Sequence, residues 1–579
     1  MARQLNNRQI AQRFERLADL LEIEGENPFR VRAYRNAAET IRGLSGALVD
    51  LVADGADLTE YPHIGKEIAE KIETLVETGR LPALEEVAER VPEALADLMQ
   101  VQGLGPKGVK ALYDHFEIRS LEQLEKAARA GQVRELSGFG AKKEQALIEG
   151  IERLRAAGDQ RTRIDVAERL GEPLRDWLTG ADGVERIEIA GSYRRGRETV
   201  GDLDIVVACR DGKVVMERLV DYEGVDDVVS HGTTRSTVRL DEGLQVDVRA
   251  VEPDSFGAAL LYFTGSKAHN VQLRQRALDR HWKLNEYGLF EGEAIIAGET
   301  EENVYAKLGL DWIPPELRED RDEIELAEQG RLPILVAAAD LRGNLHGHTD
   351  WSDGRDTLEA MVAGARERGF EYLAITDHGP KVRVANGLDA KRLRQQARAI
   401  DELDGELDDI VLLKGCEVDI LADGELDLPD EVLAELDVVV CSIHYNLNQS
   451  RAQQTERVLR AMDNPHFMIW GHPTAREIGR RDPIEIDLDA CLEAAAERGI
   501  AVEINAQPKR LDLDDRHARL ALEKGCRLTI NTDAHSVANL DLARFGIAQA
   551  RRAGATPDDV INTLPLAKLR KTLRHGKEE

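Results

Sequence analysis

Gly191-Ser192-Tyr193-Arg194-Arg195-Gly196-Arg197-Glu198-Thr199-Val200-Gly201-Asp202-Leu203-Asp204-Ile205-Val206-Val207 is the stretch on which the reading of this chain turns. Just before it, Ile187-Glu188-Ile189-Ala190 alternates as a strand does. A Gly-Ser turn and three arginines follow. Asp202 and Asp204 then open a second apolar run, and residues two apart on a strand share a face. Two carboxylates held together repel unless a divalent cation lies between them. A third acid, Asp247, sits inside the strand-like Leu244-Gln245-Val246-Asp247-Val248. An isolated D-x-D is a weak signal. With the Gly-Ser turn upstream and the later Asp247 it becomes a strong one for metal-assisted phosphoryl transfer, with the arginines holding a polyphosphate.

Around this core lie 579 residues, enough for three to five domains. No apolar run is long enough for a membrane span, and Met1–Leu5 lacks the apolar core of a signal peptide. The five cysteines are odd in number and scattered, with no C-x-x-C, which fits a reducing cytoplasm. The net charge of −31 argues at first against nucleic acid. The acid is uneven, however: residues 101–200 are near neutral and 401–440 strongly acidic. Lysine is scarce beside arginine, and the acid-rich surface points to a halophilic source.

Three stretches in the first 151 residues share one pattern, a short apolar-Gly hairpin followed by an amphipathic helix. They are 61–79, 101–116 and 136–151. This is helix-hairpin-helix logic: glycines let the backbone approach a phosphate, and the following helix N-terminus binds it. Gly65, Gly103, Gly105, Gly138 and Gly140 are the expected phosphate-facing positions, and the first copy has His63 where a glycine is expected. One match would be an ordinary helix connection; three make sequence-independent DNA binding the better reading.

From Leu341 the texture becomes alternating strands and helices. Seven apolar runs are expected as strands: 341–348, 372–377, 410–417, 438–444, 467–472, 501–505 and 528–533. Each ends in a metal-type residue or a polar turn, the arrangement of a TIM-like barrel with chemistry at the strands' C-terminal ends. The candidate ligands are His346, His348, Asp353, His378, Glu417, His444, His472, Asp533 and His535. Any one histidine is more often a satisfied core or surface residue. As a set they point to a polynuclear site whose imidazole and carboxylate donors suit Mn²⁺, Zn²⁺ or Fe, and to phosphoester hydrolysis. Lys381, Arg383 and Arg510 are candidates for holding the phosphate.

These residues together resemble the bacterial and archaeal family X DNA polymerases, the polymerase-beta-like enzymes with a C-terminal PHP domain. The resemblance covers nearly the whole chain and rests on G-S-Y-R-R…G-D-L-D, L-Q-V-D, Y-F-T-G-S, L-N-E-Y, H-G-H-T, T-D-H, E-I-N-A and D-A-H-S. It implies a multidomain α+β and α/β chain. The expected parts are an 8-kDa-like helical domain over 1–90, fingers over 91–150, a nucleotidyltransferase palm over 151–258, a thumb over 259–318, a linker over 319–338 and the PHP barrel over 339–579, seven-stranded and TIM-like.

The resemblance further implies that Asp202, Asp204 and Asp247 bind two Mg²⁺. Ser192, Arg195 and Gly201 would hold the incoming triphosphate. Tyr262, Phe263 and Gly265 would lie against the sugar, and Asn270 and Arg274 against the nascent pair. Mn²⁺ or Zn²⁺ is expected in the barrel. The implied activity is DNA-directed gap filling in base excision repair or end joining, with a barrel 3′–5′ exonuclease. The implied partners are gapped or primer-template DNA and dNTPs, with no membrane and a monomeric chain.

Three departures stand out. Lys71 occupies the position of a lyase Schiff-base lysine, but Glu67 one turn earlier favours the charged ammonium, and Phe29 replaces a phosphate-binding histidine. Asn344 stands where an aspartate is usual, a change near a ligand and not in one. Gln245 stands where animal enzymes have an arginine. Two rival readings are a polymerase whose barrel is only structural and a nucleotidyltransferase with a non-DNA substrate. The nine intact ligands oppose the first and the three hairpins the second.

Overall fold

The computed structural model describes residues 7–44, 48–53, 55–99, 101, 104–136, 138–157 and 161–573. The chain forms two units, 1–160 and 161–579. In the first, helix Asn7–Glu24 packs on Pro28–Gly43, whose entry is fixed by Pro28 and by Asn27, whose side chain accepts from the Phe29 amide. Ile10, Phe14, Leu17 and Leu21 meet Val31, Tyr34, Ala38 and Ile41 in one apolar cluster.

The hairpin glycines sit where helices begin. Gly65 caps Lys66–Thr78 and Gly105 caps Pro106–Phe116, neither with a side-chain capping bond. Gly140 precedes Ala141–Ala157. A Cβ built on Gly65, Gly105 or Gly140 would meet nothing within 4 Å. Internal packing therefore does not require glycine there, and the open amide ends are free to approach an anion. Gly138 is left-handed at φ +88°, and so is His63 at +62°, where glycine was expected. Gly103 lies outside the described residues.

The second unit begins with a five-stranded sheet in the order Val184–Ile189, Leu203–Cys209, Gln245–Val251, Arg235–Leu240, Val225–His231. The central pair, 203–209 with 245–251, is parallel and its outer neighbours are antiparallel. Leu203–Cys209 is apolar throughout except Asp204 because both faces are covered. Ile205 and Val207 join the cluster under helices Ile164–Thr179 and Gly212–Val220, while Val206 and Ala208 meet Phe256, Ala259 and Leu260 of helix Phe256–Thr264.

Helices Phe256–Thr264 and Lys267–Leu278, a three-stranded antiparallel sheet and helix Glu301–Lys307 form the expected thumb. Its charged centre is buried. Glu301, 4% exposed, takes both Nη atoms of Arg318 (2.6 and 3.0 Å) and both of Arg194 (2.8 and 2.9 Å). These guanidinium groups hold the Glu301 carboxyl far below its usual range, against the opposing effect of burial. Arg194 belongs to the Gly-Ser turn, so the thumb and the turn share this ion cluster. Residues 316–331, strongly charged and expected from sequence as a linker or connecting helix, are built into the fold: Glu323 is buried and pairs with His269 Nδ1 at 2.7 Å.

The barrel has seven parallel strands in chain order: Gly343–Asn344, Tyr372–Ile375, Val411–Asp419, Val438–Ser442, Ile469–Trp470, Ala501–Asn505 and Leu528–Asn531. A parallel bridge between Gly347 and Ala534, with the His348 amide donating to the Ala534 carbonyl at 2.8 Å, brings the first segment against the last. Six of the seven strands fall within the runs expected from sequence, and Val411–Asp419 overruns its expected end at 417 by two residues. Glu301→Gln removes the shared counter-charge of buried Arg318 and half-buried Arg194; the loss is expected to cost about 3–5 kcal/mol, measured as a lower denaturant midpoint with an unchanged slope.

Candidate metal centres in the palm and the barrel

Asp204 lies on Leu203–Cys209 and is the register partner of Asp247 on the parallel strand beside it. Asp202 immediately precedes the strand, so Asp204 has one acid two residues before it and a second, Asp247, across the ladder. Gly191, left-handed at φ +65°, lets the Gly-Ser turn pass beside Asp204: a Cβ there would stand 3.0 Å from Oδ2. Asp247 accepts from Thr237 Oγ1 at 2.6 Å, Gln245 Nε2 at 2.9 Å and Arg235 Nη2 at 3.2 Å. Arg235, from strand Arg235–Leu240, thus brings a guanidinium to the acid whose neighbour at 245 lacks one.

Burial, then Asp202 and Asp247, push the Asp204 carboxyl up to about 7. Asp202 keeps solvent contact, yet partial desolvation and then Asp247 raise it too. Acids strained by one another in this way fit divalent cations, and an all-carboxylate set suits a hard ion. The three acids stand wider apart than the barrel donors: among the described residues, the groups with ligand atoms all within 4.8 Å are all in the barrel.

The expected nucleotide residues fall into two contacting sets. Arg195 Nε donates to Glu319 at 3.0 Å, and its Nη1 donates to the Thr264 carbonyl beside Gly265. Gly265 is left-handed at φ +69°, and a Cβ there would stand 3.1 Å from Arg195 Nη1. Tyr262 and Phe263 meet edge to face with centroids 5.0 Å apart. Asn270 Nδ2 donates to the Tyr262 carbonyl at 2.7 Å, and Arg274 lies 5.8 Å from the Tyr262 ring. Ser192 lies on the short helical turn Gly191–Arg194, and Gly201 is exposed beside Arg161.

In the barrel the nine expected ligands converge at the strands' C-terminal ends. Three tight donor groups form: His348, Asp353, His378 and His535; His346, His348 and Asp533; His378, Glu417 and His444. His348 and His378 are each shared by two groups. His472 joins through Nε2, 2.9 Å from Glu417 Oε1. Glu417 is the hub, with His346 at 3.3 Å, His378 at 2.9 Å and His444 at 3.3 Å.

Three observations fit this set to metal. His346 Nε2, both His348 ring nitrogens and His472 Nδ1 are buried without a hydrogen-bond partner. His472 and Asp533 have left-handed backbones, φ +26° and +46°, a strain typical of functional positions. The donors mix imidazole and carboxylate. Burial, then neighbouring His535 and His378, push His348 down to about 3, a neutral ligand. His444 and His535 rise to about 9 against the effect of burial, held up by Glu417 and Asp419, and by Asp353 and Asp533. Binding there would displace protons.

Sequence reasoning missed the residues behind the ligands. Glu503 Oε1 lies 2.7 Å from His346 Nδ1, and its Oε2 accepts the His472 amide at 2.8 Å. Asp377 takes Thr349 Oγ1 at 2.7 Å and the Ser352 hydroxyl, fixing the H-x-H-T loop. Asp419 accepts the His444 amide at 3.0 Å. An acid inside an apolar strand, the signal used for Asp247, was also present in Ala501–Asn505. Asn344 joins the first and last strands, donating to the His346 carbonyl at 2.6 Å and accepting the Thr532 amide at 2.9 Å. Arg510 has buried Nε and Nη1 atoms without partners, while Lys381 and Arg383 are exposed. In the helical unit, Lys71 Nζ donates to Glu67 at 2.7 Å, and Tyr34 OH donates to the same oxygen at 3.3 Å.

Comparison with known proteins covers the same segments. Residues 5–81 match a helix-hairpin-helix domain and 75–153 a SAM-like helix-hairpin-helix tandem. Residues 163–252 match the DNA polymerase beta palm, 259–319 the DNA polymerase beta thumb and 344–507 the PHP domain. The chain is 37% identical over 571 residues to the DNA polymerase/3′-5′ exonuclease PolX of Bacillus subtilis (strain 168), covering 97% of this chain and 98% of that protein. A probable phosphatase of Thermoanaerobacter sp. (strain X514) is 30% identical over 248 residues, 40% of this chain and 95% of that protein. One of Clostridium acetobutylicum is 28% identical over 212 residues, 34% and 82% respectively.

The raised Asp204 has a testable sign. Its folded value exceeds the unfolded one, so the folded state binds the extra proton and stability falls as pH rises through about 7. Asp204→Asn should stabilise the EDTA-treated protein by roughly 2–4 kcal/mol at pH 8, and by less at pH 6. Thermal unfolding at the two pH values reads both.

Proposed function

The chain belongs to the family X DNA polymerases that carry a C-terminal PHP domain, and on that premise we propose that it fills short gaps during DNA repair. It is a DNA polymerase whose barrel carries a 3′–5′ exonuclease. The observation that carries the polymerase reading is the pairing of Asp204 with Asp247 beside the Gly-Ser turn. Two Mg²⁺ held by Asp202, Asp204 and Asp247 would activate the primer hydroxyl and offset the charge of the phosphates.

The chain's own residues supply the positioning. Arg195, Ser192 and Gly201 hold the triphosphate tail. Tyr262, Phe263 and Gly265 line the sugar, and the Asn270 bond to the Tyr262 carbonyl fixes that wall against the nascent pair. Arg235 and Thr237 hold Asp247 in place until the primer end arrives. The open hairpins at Gly65, Gly105 and Gly140 take DNA phosphates without reading sequence.

In the barrel, the nine ligands would hold Mn²⁺ or Zn²⁺, and the ions would supply the Lewis acidity needed to release nucleotides from a 3′ end. Glu503 keeps the His346 ring turned toward the cluster. Arg510, with unpartnered buried nitrogens near His472, meets the scissile phosphate, assisted by Lys381 and Arg383. Lys71 Nζ is engaged by Glu67 at 2.7 Å, and no lyase chemistry is assigned to it. No described helix is long and apolar enough to cross a membrane. The reading is completed by a monomeric cytoplasmic enzyme whose acid-rich surface suits concentrated salt.

A labelled primer on a one-nucleotide gap separates the two chemistries. Asp202→Ala is expected to lower extension by at least about 10³-fold while degradation persists. His346→Ala is expected to do the reverse. Loss of both activities from either change would refute two separate centres.

A further inference from the structure

The barrel reaches into the loop that the proposed function assigns to the triphosphate. Helix Ala543–Ala553 lies against Arg195 and Gly196. Gly196 is left-handed at φ +64°, and a Cβ there would stand 3.0 Å from the Ala548 Cβ. Gln549 Nε2 donates to the Gly196 carbonyl at 2.9 Å, and Arg552 Nη1 donates to the Arg195 carbonyl at 2.8 Å. Leu511 and Phe545 of the barrel belong to the same apolar cluster as palm residues Leu203 and Ile205. The contact is thus continuous with the palm core.

A ladder of buried charges runs through this contact. Glu319 accepts from Arg195 Nε at 3.0 Å and from Arg552 Nη1 at 2.8 Å, and Arg197 lies 3.4 Å away. Arg552 Nη2 continues to Asp515 at 2.9 Å, which also takes Arg321 at 2.8 Å. The side chains of Arg552, Glu319 and Arg195 are 1%, 10% and 12% exposed. Four guanidinium groups thus face two carboxylates. The excess is positive, and it lies at the loop expected to receive a polyanion.

We propose that Arg552, carried by the PHP barrel, is a positioning residue for nucleotide binding in the polymerase: it shares Glu319 with Arg195 and so sets the reach of Arg195 toward the triphosphate. Arg195 spends Nε on Glu319 and Nη1 on the Thr264 carbonyl, which directs Nη2 to the ligand. With Arg552 present, Glu319 is divided among three arginines. Without it, the carboxylate turns its full charge on Arg195 and competes with phosphate for the same cation. The proposal rests on the reading of Arg195 as a triphosphate contact.

Steady-state gap filling with the full-length chain tests it, with exonuclease activity on a single-stranded 3′ end as the check of barrel integrity. Arg552→Gln should raise the KM for dNTP about tenfold, the worth of one charge-assisted hydrogen bond, with kcat changed less than threefold. Arg552→Lys should recover part of that KM. Should Arg552→Gln fail to fold, as judged by circular dichroism and thermal unfolding, Gln549→Ala loosens the same contact and should raise KM about threefold. Arg195→Ala, measured alongside, separates the two ways of failing. An unchanged KM for Arg195→Ala overturns the triphosphate reading itself. A raised KM for Arg195→Ala with unchanged KM for the folded Arg552 or Gln549 variants overturns the positioning role. Equal falls in kcat for both activities would mark Arg552 as merely structural and overturn it as well.

Discussion

Carboxylates brought together out of water repel each other, and both halves of this molecule's chemistry depend on holding them there. In the palm, parallel pairing places Asp204 beside Asp247 while the apolar rows on either side keep the strand buried on both faces. A sheet set by its hydrophobic residues has no freedom to move the acids apart. The tension appears as a carboxyl lifted to about 7. Thr237, Gln245 and Arg235 offset it on one acid, Asp247.

The barrel handles the same problem with different donors. Imidazoles interleave with Glu417, Asp353 and Asp533, so charge alternates and each of three donor groups closes to within 4.8 Å. Strand ends bring the residues to one rim, and left-handed backbones at His472 and Asp533 aim two of them inward. Glu503, Asn505 and Asn531 form a buried polar network behind His346, with Asn531 Nδ2 donating to Glu503 at 3.0 Å and Asn505 Nδ2 at 3.2 Å. Such a network is costly unless every member is satisfied, and it leaves the imidazole only one orientation.

Local patterns were readable directly. Six of the seven barrel strands announce themselves through apolar runs ending in histidine or acid, the remaining run ends in Asn505, and Asn27-Pro28 marks a helix start. Long-range pairing was less so. That Asp204 meets Asp247 as well as Asp202 depends on register between strands some forty residues apart. Arg235 carries no local mark, because its value arises only when its strand lies beside that of Asp247. The Glu319–Arg552 contact joins residues 233 apart, and the stretch from 316 reads as a charged linker because its ionic partners lie elsewhere in the chain. Burial of charge is a property of the assembled fold, and sequence periodicity does not report it.

The central claim is that three palm acids share a pair of cations. Manganese anomalous diffraction from crystals grown with a gapped DNA and a non-hydrolysable dNTP measures it directly. The account predicts two peaks about 3.5–4 Å apart, bounded by Asp202, Asp204 and Asp247, and separate from the peaks within the barrel. Manganese confined to the barrel, with the palm acids bare and Asp247 still held by Arg235, would contradict it.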